Sequence, residues 1–326
     1  MVRVLGEGTF GQVVLLDGIP ELADWPRGKK VACKIIKHKD EESLEDARKE
    51  CTLMSHFGEH PGLRRIVPGL YHVEHTRACS RIYMEFFDIS MQQYLVGDTA
   101  KKFVHTQHDS AANRALARQL ILGMQAFHAA KVLHRDVKPN NILIHPETGR
   151  LVYADWGLGR HSANKAQNTR YWYFTTPYRS LEVLNGEQYG SEADVFALGV
   201  VLFQLFSRGS WPWDYLDLSF TDIGQMFTIA RAIGGTVQLE MWATPVVGNK
   251  RARTPTPPQW KRRLFSEYMS TSHRGPGSRS GYAKMPASLR ALLDNVIAAA
   301  DVRLTIDQVC GSDFVDEAPI EPVPLC

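Results

Sequence analysis

The sequence predicts an α+β protein with two lobes: a small lobe built on an antiparallel β-sheet with one helix, and a larger, mainly α-helical lobe. Residues 1–87 consist mostly of short β-branched runs, interrupted by a single helical pattern. From residue 88 onward, apolar residues recur at helical spacing instead. The 326 residues, of which 44% are hydrophobic, suffice for a full core. A sheet-rich half followed by a helix-rich half predicts a cleft between the lobes.

The small lobe begins with two predicted strands, over residues 1–5 and 12–16, which flank a glycine-rich turn. A third strand is predicted over residues 30–36, where β-branched residues alternate with others. An acidic first turn then opens a helix. The apolar face of this helix is Leu44, Ala47, Cys51 and Met54. A strand over residues 81–86 ends the lobe.

The large lobe contains three predicted helices. The residues that mark the first and the third are Leu116, Leu120, Gly123 and Phe127, and Leu289, Leu292, Leu293 and Val296. The second, Ser191–Phe206, is apolar almost throughout, so we expect it at the centre of the lobe. Residues 248–263 and 270–286 are predicted to be poorly ordered, and the acidic, proline-rich tail 316–326 to be frayed.

Composition excludes several classes of function. The net charge of +3 is the difference between 38 basic and 35 acidic residues, so we expect no nucleic-acid or membrane partner. The five cysteines form no CxxC pair, which disfavours a disulfide framework or zinc site. There is no signal segment, and the longest apolar run is too short to span a bilayer. We expect a monomeric intracellular protein, cytoplasmic or nuclear, without an N-terminal regulatory extension.

Residues 5–13, LGEGTFGQV, form a GxGxxGxV pattern between the first two strands. Glycines allow the backbone amides of a hairpin to approach phosphate oxygens without a Cβ in the way. Taken alone, the pattern also fits an ordinary glycine-rich hairpin. A dinucleotide-binding fold requires the glycines to lead from a strand into a helix. Here they lead into another strand, and that fold is excluded.

Lys34 lies on the otherwise apolar third strand, VACKII. A lysine in a strand is usually an edge or solvent residue, but an ammonium that faces a lobe interior needs an anionic partner. Glu50 is the candidate, because it lies beside Ala47 and Met54 on the helix face turned toward the sheet.

The strongest signal is HRDVKPNN at residues 134–141, followed by Asp155-Trp156-Gly157, which begins nineteen residues after Asp136. Each polar residue type suits a task in phosphoryl transfer. A carboxylate orients an attacking hydroxyl and takes its proton (Asp136), and a lysine neutralises the moving phosphate (Lys138). An amide and a second carboxylate hold Mg²⁺ (Asn141 and Asp155). The alternative, a turn rich in polar residues, does not account for this spacing.

With these motifs in this order, the chain resembles a eukaryotic protein kinase domain of Ser/Thr type over nearly its whole length. The resemblance implies a kinase domain over residues 1–315, with an N-terminal lobe and hinge at 1–87 and a C-terminal lobe at 88–315. It implies ATP and Mg²⁺ as cofactors and proteins as substrates. A regulatory or docking protein is a further partner that it allows.

The resemblance assigns roles to individual residues. The ATP-binding set is Leu5, Gly6, Glu7, Gly8, Thr9, Phe10, Gly11, Val13, Ala32, Lys34, Glu85, Phe87 and Leu143, with Met84 as gatekeeper. The catalytic set is Lys34, Glu50, Asp136, Lys138 and Thr175, and the metal ligands are Asn141 and Asp155. Glu182 is implied to pair with Arg303, and Asp194 to anchor the catalytic loop.

Further features resemble the CMGC group, which includes cyclin-dependent, mitogen-activated, glycogen synthase, dual-specificity tyrosine-regulated and casein kinase II-like kinases. They are Tyr178-Arg179, the stretch 225–242, and a long segment at about 243–287 in place of that group's insert. In this group Arg179 helps a proline to be accepted after the target residue. Pro177 and Leu181 change the walls of that pocket, so proline-directed specificity is a hypothesis.

Several alternatives stay open. Arg135 is typical of kinases that need a phosphate on the activation segment, and the candidate acceptors are Ser162, Thr169, Tyr171, Tyr173 and Thr176. Arg170 and Trp172 occupy the expected acceptor positions, so either a neighbour serves or the segment is ordered without phosphate. A pseudokinase scaffold, a dual-specificity kinase and a small-molecule kinase are the rival functions. The basic runs at 250–253 and 261–263 fit a nuclear address, a docking site or a solvated loop.

Overall fold

The computed structural model describes residues 3–8, 11–19, 22, 25, 28–96, 109–161, 173–213, 222–236, 259–260, 264–271 and 281–325. The basic runs, residues 162–172 of the activation segment (155–182), and Thr9 and Phe10 of the glycine-rich loop lie outside the described residues. So does most of the predicted insert at 243–287.

The small lobe is a five-stranded antiparallel sheet. Its strands are β1 (Arg3–Gly8), β2 (Gly11–Leu16), β3 (Val31–Lys37), β4 (Leu70–His75) and β5 (Cys79–Glu85), in the order β1-β2-β3-β5-β4. Four of these strands were predicted to within a few residues. Strand β4 was not predicted, because its sequence LYHVEH is half-buried along most of its length and shows no clean alternation.

One long helix, α1 (Glu41–Glu59), packs on this sheet. It begins with a capping box, in which the Ser43 amide donates to the Asp40 carboxylate at 2.8 Å and the Asp40 amide donates to the Ser43 hydroxyl. Its buried face includes Glu50 among apolar residues, so the helix directs a carboxylate toward the sheet. The predicted helix and its inward face are therefore present.

The large lobe is helical. Its helices are α2 (Met91–Val96), α3 (Ala111–Ala129), α4 (Leu181–Leu184), α5 (Ser191–Phe206), α6 (Asp222–Ile233), α7 (Phe265–Thr271), α8 (Ala287–Val296), α9 (Ile306–Cys310) and α10 (Asp313–Asp316). Helix α5 is buried almost throughout, as its apolar sequence predicted. A Cβ on Gly199 of α5 would lie 2.6 Å from Cγ1 of Val296, so the glycine permits the close packing of α5 on α8.

Short strands complete the lobe. They are β6 (Ile89–Ser90), β7 (Val132–Leu133), β8 (Ile142–His145), β9 (Arg150–Tyr153), β10 (Arg160–His161), β11 (Gly235–Thr236) and β12 (Gln259–Trp260). Strands β6, β8 and β9 form one small sheet, β7 pairs with β10, and β11 pairs with β12. The β8–β9 hairpin lies between the catalytic loop and the Asp155 segment, and so brings these two motifs together.

The prediction of a frayed tail at 316–326 was wrong for the described part of this segment. Leu325 is fully buried, and its amide donates to the Pro146 carbonyl at 2.8 Å. Glu317 pairs with Arg114 at 3.0 Å. The apolar residues between the acidic ones pack against the body of the protein, which a count of charges and prolines does not reveal.

Part of the segment predicted to be poorly ordered is also structured. Tyr282 is buried and makes an edge-on contact with Phe265, with ring centroids 5.8 Å apart. Among the described residues, no helix combines the length and the apolar character needed to cross a membrane.

Candidate active site

The cleft between the lobes contains a shared ion pair. Nζ of Lys34 on β3 lies 2.7 and 2.9 Å from the two carboxylate oxygens of Glu50 on α1, and 2.7 Å from Oδ1 of Asp155. Lys34 and Glu50 are only 6% and 4% exposed. The partner suggested by helical spacing is therefore in contact, and a second carboxylate from the large lobe joins it.

The charges of this cluster follow from burial and proximity. Burial alone would lower the pKa of Lys34, but the carboxylates of Glu50 and Asp155 outweigh it and raise this pKa, so the ammonium stays charged. Burial raises the pKa of Glu50. Burial also opposes ionisation of Asp155, but the nearby Lys34 holds the pKa of Asp155 below its ordinary value. Asp155 therefore remains an anion.

Aromatic packing fixes the Asp155 segment. Trp156 is 1% exposed, and its ring centroid lies 4.5 Å from those of Phe57 on α1 and Phe127 on α3, and 4.4 Å from that of His134. Asp155 itself has a left-handed backbone with φ 61°. Because its neighbour is held from both lobes, the carboxylate of Asp155 is directed into the cleft.

Asp136 lies at the centre of a second network. Its Oδ1 accepts hydrogen bonds from the amide and the hydroxyl of Thr175, at 3.0 and 2.8 Å. Its Oδ2 accepts from Nδ2 of Asn141 at 2.8 Å and lies 2.7 Å from Nζ of Lys138. Nζ of Lys138 also donates to the Thr175 hydroxyl at 2.7 Å. The four residues assigned by resemblance are thus brought together around one carboxylate.

Asp194 holds the loop that carries Asp136. Its carboxylate accepts the backbone amides of His134 and Arg135 at 2.8 and 2.9 Å, and it is 1% exposed. Burial would raise the pKa of Asp194, but the hydrogen bond from His128 and the neighbouring imidazoles lower it. Burial lowers the pKa of His134. Arg135 has a left-handed backbone at φ 61°, and these bonds stabilise that turn.

The donor set fits a hard divalent cation. Both hydrogen bonds from Nδ2 of Asn141 go to Asp136. The side-chain oxygen of Asn141, Oδ1, makes no hydrogen bond among the described residues. The Asp155 side chain is 33% exposed. The described residues contain no cluster of three His, Cys, Asp or Glu side chains able to hold a metal. A cation here would need Asn141, Asp155 and phosphate oxygens together, as is usual for Mg²⁺.

The predicted adenine pocket lies on the sheet and the β8–β9 hairpin. Ala32 on β3 pairs with Met84 on β5, and both are buried. Val13 pairs with Lys34 across β2 and β3, and Leu143 lies on β8. Val13, Ala32 and Met84 therefore lie on strands of the sheet that carries Lys34, and the binding of a base between them and Leu143 stays a prediction.

The strands on either side of the glycine-rich loop pair with each other. Gly8 and Gly11 pair directly across β1 and β2. Gly11 has φ 132°, and a Cβ there would collide with the Ile35 carbonyl, so this position requires glycine. Leu5 is 37% exposed at the start of the loop. The loop residues Gly6 and Glu7 lie on β1.

Glu85 and Phe87, the hinge residues implied by the resemblance, make contacts that the sequence did not reveal. The Glu85 carboxylate lies 2.5 Å from Nη1 of Arg150 and accepts the Gly69 amide at 3.2 Å. The Phe87 ring stacks on His145, with centroids 4.1 Å apart. Arg150 and His145 are polar residues of a hairpin, a pattern typical of solvent-exposed positions, so no sequence signal identified them.

The segment that carries Glu182 is anchored by a buried ion pair. Nη1 and Nη2 of Arg303 donate to the two carboxylate oxygens of Glu182 at 2.6 and 3.2 Å, and Nη1 also donates to the Glu192 carbonyl at 2.7 Å. Burial would raise the pKa of Glu182, but Arg303 holds it below its ordinary value. The implied pairing is therefore present in the structure.

Comparison with known proteins agrees with this geometry. A probable serine/threonine-protein kinase of Dictyostelium discoideum is 28% identical over 288 residues, which are 86% of this chain. The chain spans 26% of the length of that relative. The family model of the protein kinase domain matches residues 1–315. This match covers nearly the entire sequence, and the chain belongs to the protein kinase domain family.

Proposed function

We propose that this chain is a catalytically active protein serine/threonine kinase that transfers the γ-phosphate of ATP to hydroxyl groups of protein substrates, with Mg²⁺ as the metal. Membership of the family implies ATP as substrate and a divalent metal. The observation that carries the proposal is the network around Asp136. Its carboxylate is held by the Thr175 amide and hydroxyl while Lys138 lies 2.7 Å away.

Each residue has a defined part in the transfer. Asp136 accepts the hydrogen bond of the incoming hydroxyl, aligns its oxygen with the γ-phosphorus, and takes its proton as the new P–O bond forms. The bond from the γ-phosphorus to the β–γ bridging oxygen breaks in the same transfer, and ADP leaves with that oxygen. Lys138 neutralises charge on the transferred phosphoryl group, and Lys34 holds the other phosphates. Asn141 and Asp155 would hold Mg²⁺, which when bound supplies charge neutralisation across the phosphates.

A pseudokinase scaffold is the main rival. A scaffold has no need for an ammonium shared by two carboxylates or for an aligned base, but both are present at 2.7–3.0 Å. The Thr175 bridge between Asp136 and Lys138 supports Ser/Thr acceptors, because the family resemblance associates this bridge with Ser/Thr enzymes. Transfer to Tyr as well as to Ser and Thr would instead indicate dual specificity.

The test is transfer from labelled ATP and Mg²⁺ to a degenerate peptide library. Wild type is compared with Asp136→Asn, which keeps an acceptor oxygen for Thr175 but removes the base. We expect a loss of about 10²–10⁴-fold in rate. The matched control is Asp46→Asn, because Asp46 is exposed on α1 and pairs only with exposed Lys49 in the described structure. Undiminished transfer by Asp136→Asn would refute the assignment of the base.

We also propose that the enzyme prefers proline directly after the acceptor residue. Phe174 has a left-handed backbone with φ 62°, and its carbonyl accepts a hydrogen bond from Nε of Arg179 at 3.0 Å. Phe174 directly precedes Thr175, so the residue after the acceptor passes near this carbonyl. Because Arg179 occupies this carbonyl, a backbone N–H of the peptide would have to compete with the guanidinium for the oxygen. Proline lacks an N–H and so leaves no donor unpaired there.

Paired peptides that differ only in Pro or Ala after the acceptor Ser test this preference. We expect kcat/KM to be about tenfold higher for the Pro peptide, since an unpaired N–H costs about 1–3 kcal/mol. Arg179→Ala should reduce the ratio between the two peptides. Equal rates for both peptides with wild type would remove the proposal without affecting Ser/Thr transfer. The same geometry favours the CMGC-like placement suggested by Tyr178-Arg179.

A further inference from the structure

Arg135, the residue before the catalytic Asp136, lies in an unusual environment for a buried cation. It is 6% exposed, and its Nε donates to the Leu158 carbonyl at 2.7 Å. Its Nη1 is buried and has no hydrogen-bond partner among the residues that the structure describes. Within the described part of the chain Arg135 makes no ion pair. Instead its guanidinium carbon lies 3.9 Å from the centroid of the Tyr173 ring.

We propose that Tyr173 is a positioning residue that takes the place of an activation-segment phosphate. Its ring is the electron-rich partner of Arg135, so the segment is joined to the catalytic loop without phosphorylation. This inference rests on the proposed kinase activity. The sequence left two alternatives open: a neighbouring phospho-acceptor, or a segment ordered without phosphate. The inference favours the second.

A buried guanidinium needs a compensating partner, because removing a cation from water is costly. The face of an aromatic ring carries partial negative charge and attracts a guanidinium, most strongly where water is excluded. The Tyr173 ring also packs against the apolar cluster of Phe174, Val183, Tyr189 and Ala193. It is therefore fixed on one side by apolar packing and presents its π system to Arg135 on the other.

The stack acts on Asp136 through two adjacent pairs of residues. The Phe174 amide donates to the Arg135 carbonyl at 2.9 Å, and the Thr175 amide donates to the Asp136 carboxylate at 3.0 Å. Arg179 also holds this segment, since its Nε donates to the Tyr173 carbonyl at 3.0 Å. Loss of the ring would leave Arg135 without its partner and allow this register to shift. We therefore expect loss of the ring to lower kcat, which depends on the position of Asp136, and to leave ATP binding nearly unchanged.

The experiment compares phosphatase-treated enzyme, shown to be phosphate-free by intact mass, with enzyme preincubated with ATP and Mg²⁺. Phosphate-free wild type should transfer phosphate at half the rate of the preincubated enzyme or faster. Tyr173→Phe keeps the ring and removes the hydroxyl, and should retain the rate. Tyr173→Leu keeps apolar bulk without the ring, and should lower kcat about tenfold or more while leaving KM for ATP within about twofold.

A pair of variants separates positioning from general damage to the fold. If Tyr173 acts through Arg135, adding Tyr173→Leu to Arg135→Met should cause no further loss of kcat. A purely structural ring would cause the same additional loss in either background. The melting temperature and the ATP affinity of each variant are measured alongside.

The outcomes distinguish the inference from the proposed function. Phosphate-free wild type that is inactive, beside preincubated enzyme that is active, would overturn the role of Tyr173 and leave the kinase assignment standing. Tyr173→Leu as active as Tyr173→Phe would do the same. Transfer by neither form of the wild type would refute the proposed function itself.

Discussion

Nζ of Lys34 lies 2.7 Å from Oδ1 of Asp155, a residue 121 positions later in the chain. Lys34 belongs to β3 of the small lobe, and Asp155 follows β9 of the large lobe. This contact therefore joins the two lobes across the cleft. Glu50 on α1 holds the same ammonium from a third direction. The position of helix α1 and that of the Asp155 segment consequently depend on one cation.

Replacing Lys34 with Met should abolish most transfer. The variant loses the ammonium that we propose to hold phosphate, and a fall in kcat/KM of about 10²-fold or more is expected. It also leaves the carboxylates of Glu50 and Asp155 without their cation, so the pKa of Glu50 should rise further above its ordinary value. A group whose folded-state pKa is raised favours the folded state at lower pH, so the stability deficit of the variant should shrink as pH falls toward the ordinary Glu50 value of 4.5.

The control for Lys34→Met is Lys49→Met, because Lys49 is 64% exposed one residue before Glu50. It should keep both activity and melting temperature. Retention of more than a tenth of the wild-type rate by Lys34→Met would contradict the assigned role.

Replacing Arg303 with Met should destabilise the large lobe. Its guanidinium is fully buried and neutralises Glu182, which is 4% exposed. Leaving one partner of such a pair uncompensated costs about 3–5 kcal/mol. Urea unfolding at pH 7 measures the change. Adding Glu182→Gln to Arg303→Met should restore part of the lost stability, and a double variant no more stable than the single one would argue against the pair.

The same pair predicts a pH dependence. Arg303 holds the pKa of Glu182 below its ordinary value of 4.5, so the folded state binds fewer protons than the unfolded state. The contribution of Glu182 is complete above the unfolded value and is lost as pH falls through the folded value. The stability advantage of wild type over Glu182→Gln should therefore shrink below pH 4.5. An advantage that stays constant through that window would show that Glu182 does not titrate as described.

Gly149→Ala should release the C-terminal segment. Gly149 has φ 67°, and a Cβ there would collide with the Val323 carbonyl, beside the buried Leu325. Strain and collision together should cost about 1–3 kcal/mol and expose the Leu325 amide to hydrogen exchange. Gly28→Ala is the matched control: at φ 77° it carries the strain, but a Cβ would meet nothing within 4 Å. Equal exchange in both variants would contradict the docking of this segment.

Asp194→Asn should lower kcat and leave KM for ATP nearly unchanged. An amide in place of the carboxylate loses an acceptor, so the backbone amide of His134 or Arg135 becomes unpaired, at a cost of about 1–3 kcal/mol. The catalytic loop would shift, whereas the ATP pocket is built from other elements. Steady-state kinetics with varied ATP measures both constants. A rise in KM without a fall in kcat would place the effect in nucleotide binding instead.

Much of the candidate site could be predicted from the sequence. The pairing of Lys34 with Glu50 followed from an unsatisfied charge on an apolar strand and from helical spacing, and the contact is present at 2.7 Å. Helix α5 was predicted with its observed bounds, because an apolar run of this length in a globular protein is typical of a buried central helix. Strand β4 was missed, since tertiary packing and not an alternating pattern decides its pairing.

By itself, the sequence determined the order and chemical identity of the groups that we propose to serve phosphoryl transfer, because residue types at fixed spacing express local chemistry. Only the tertiary structure decided that the Tyr173 ring covers Arg135, that Arg150 bonds the hinge residue Glu85, and that Leu325 is buried. Those contacts join segments far apart in the chain, or they depend on the direction in which a side chain points. Their energies depend on distance and on exclusion of water, neither of which a linear pattern contains.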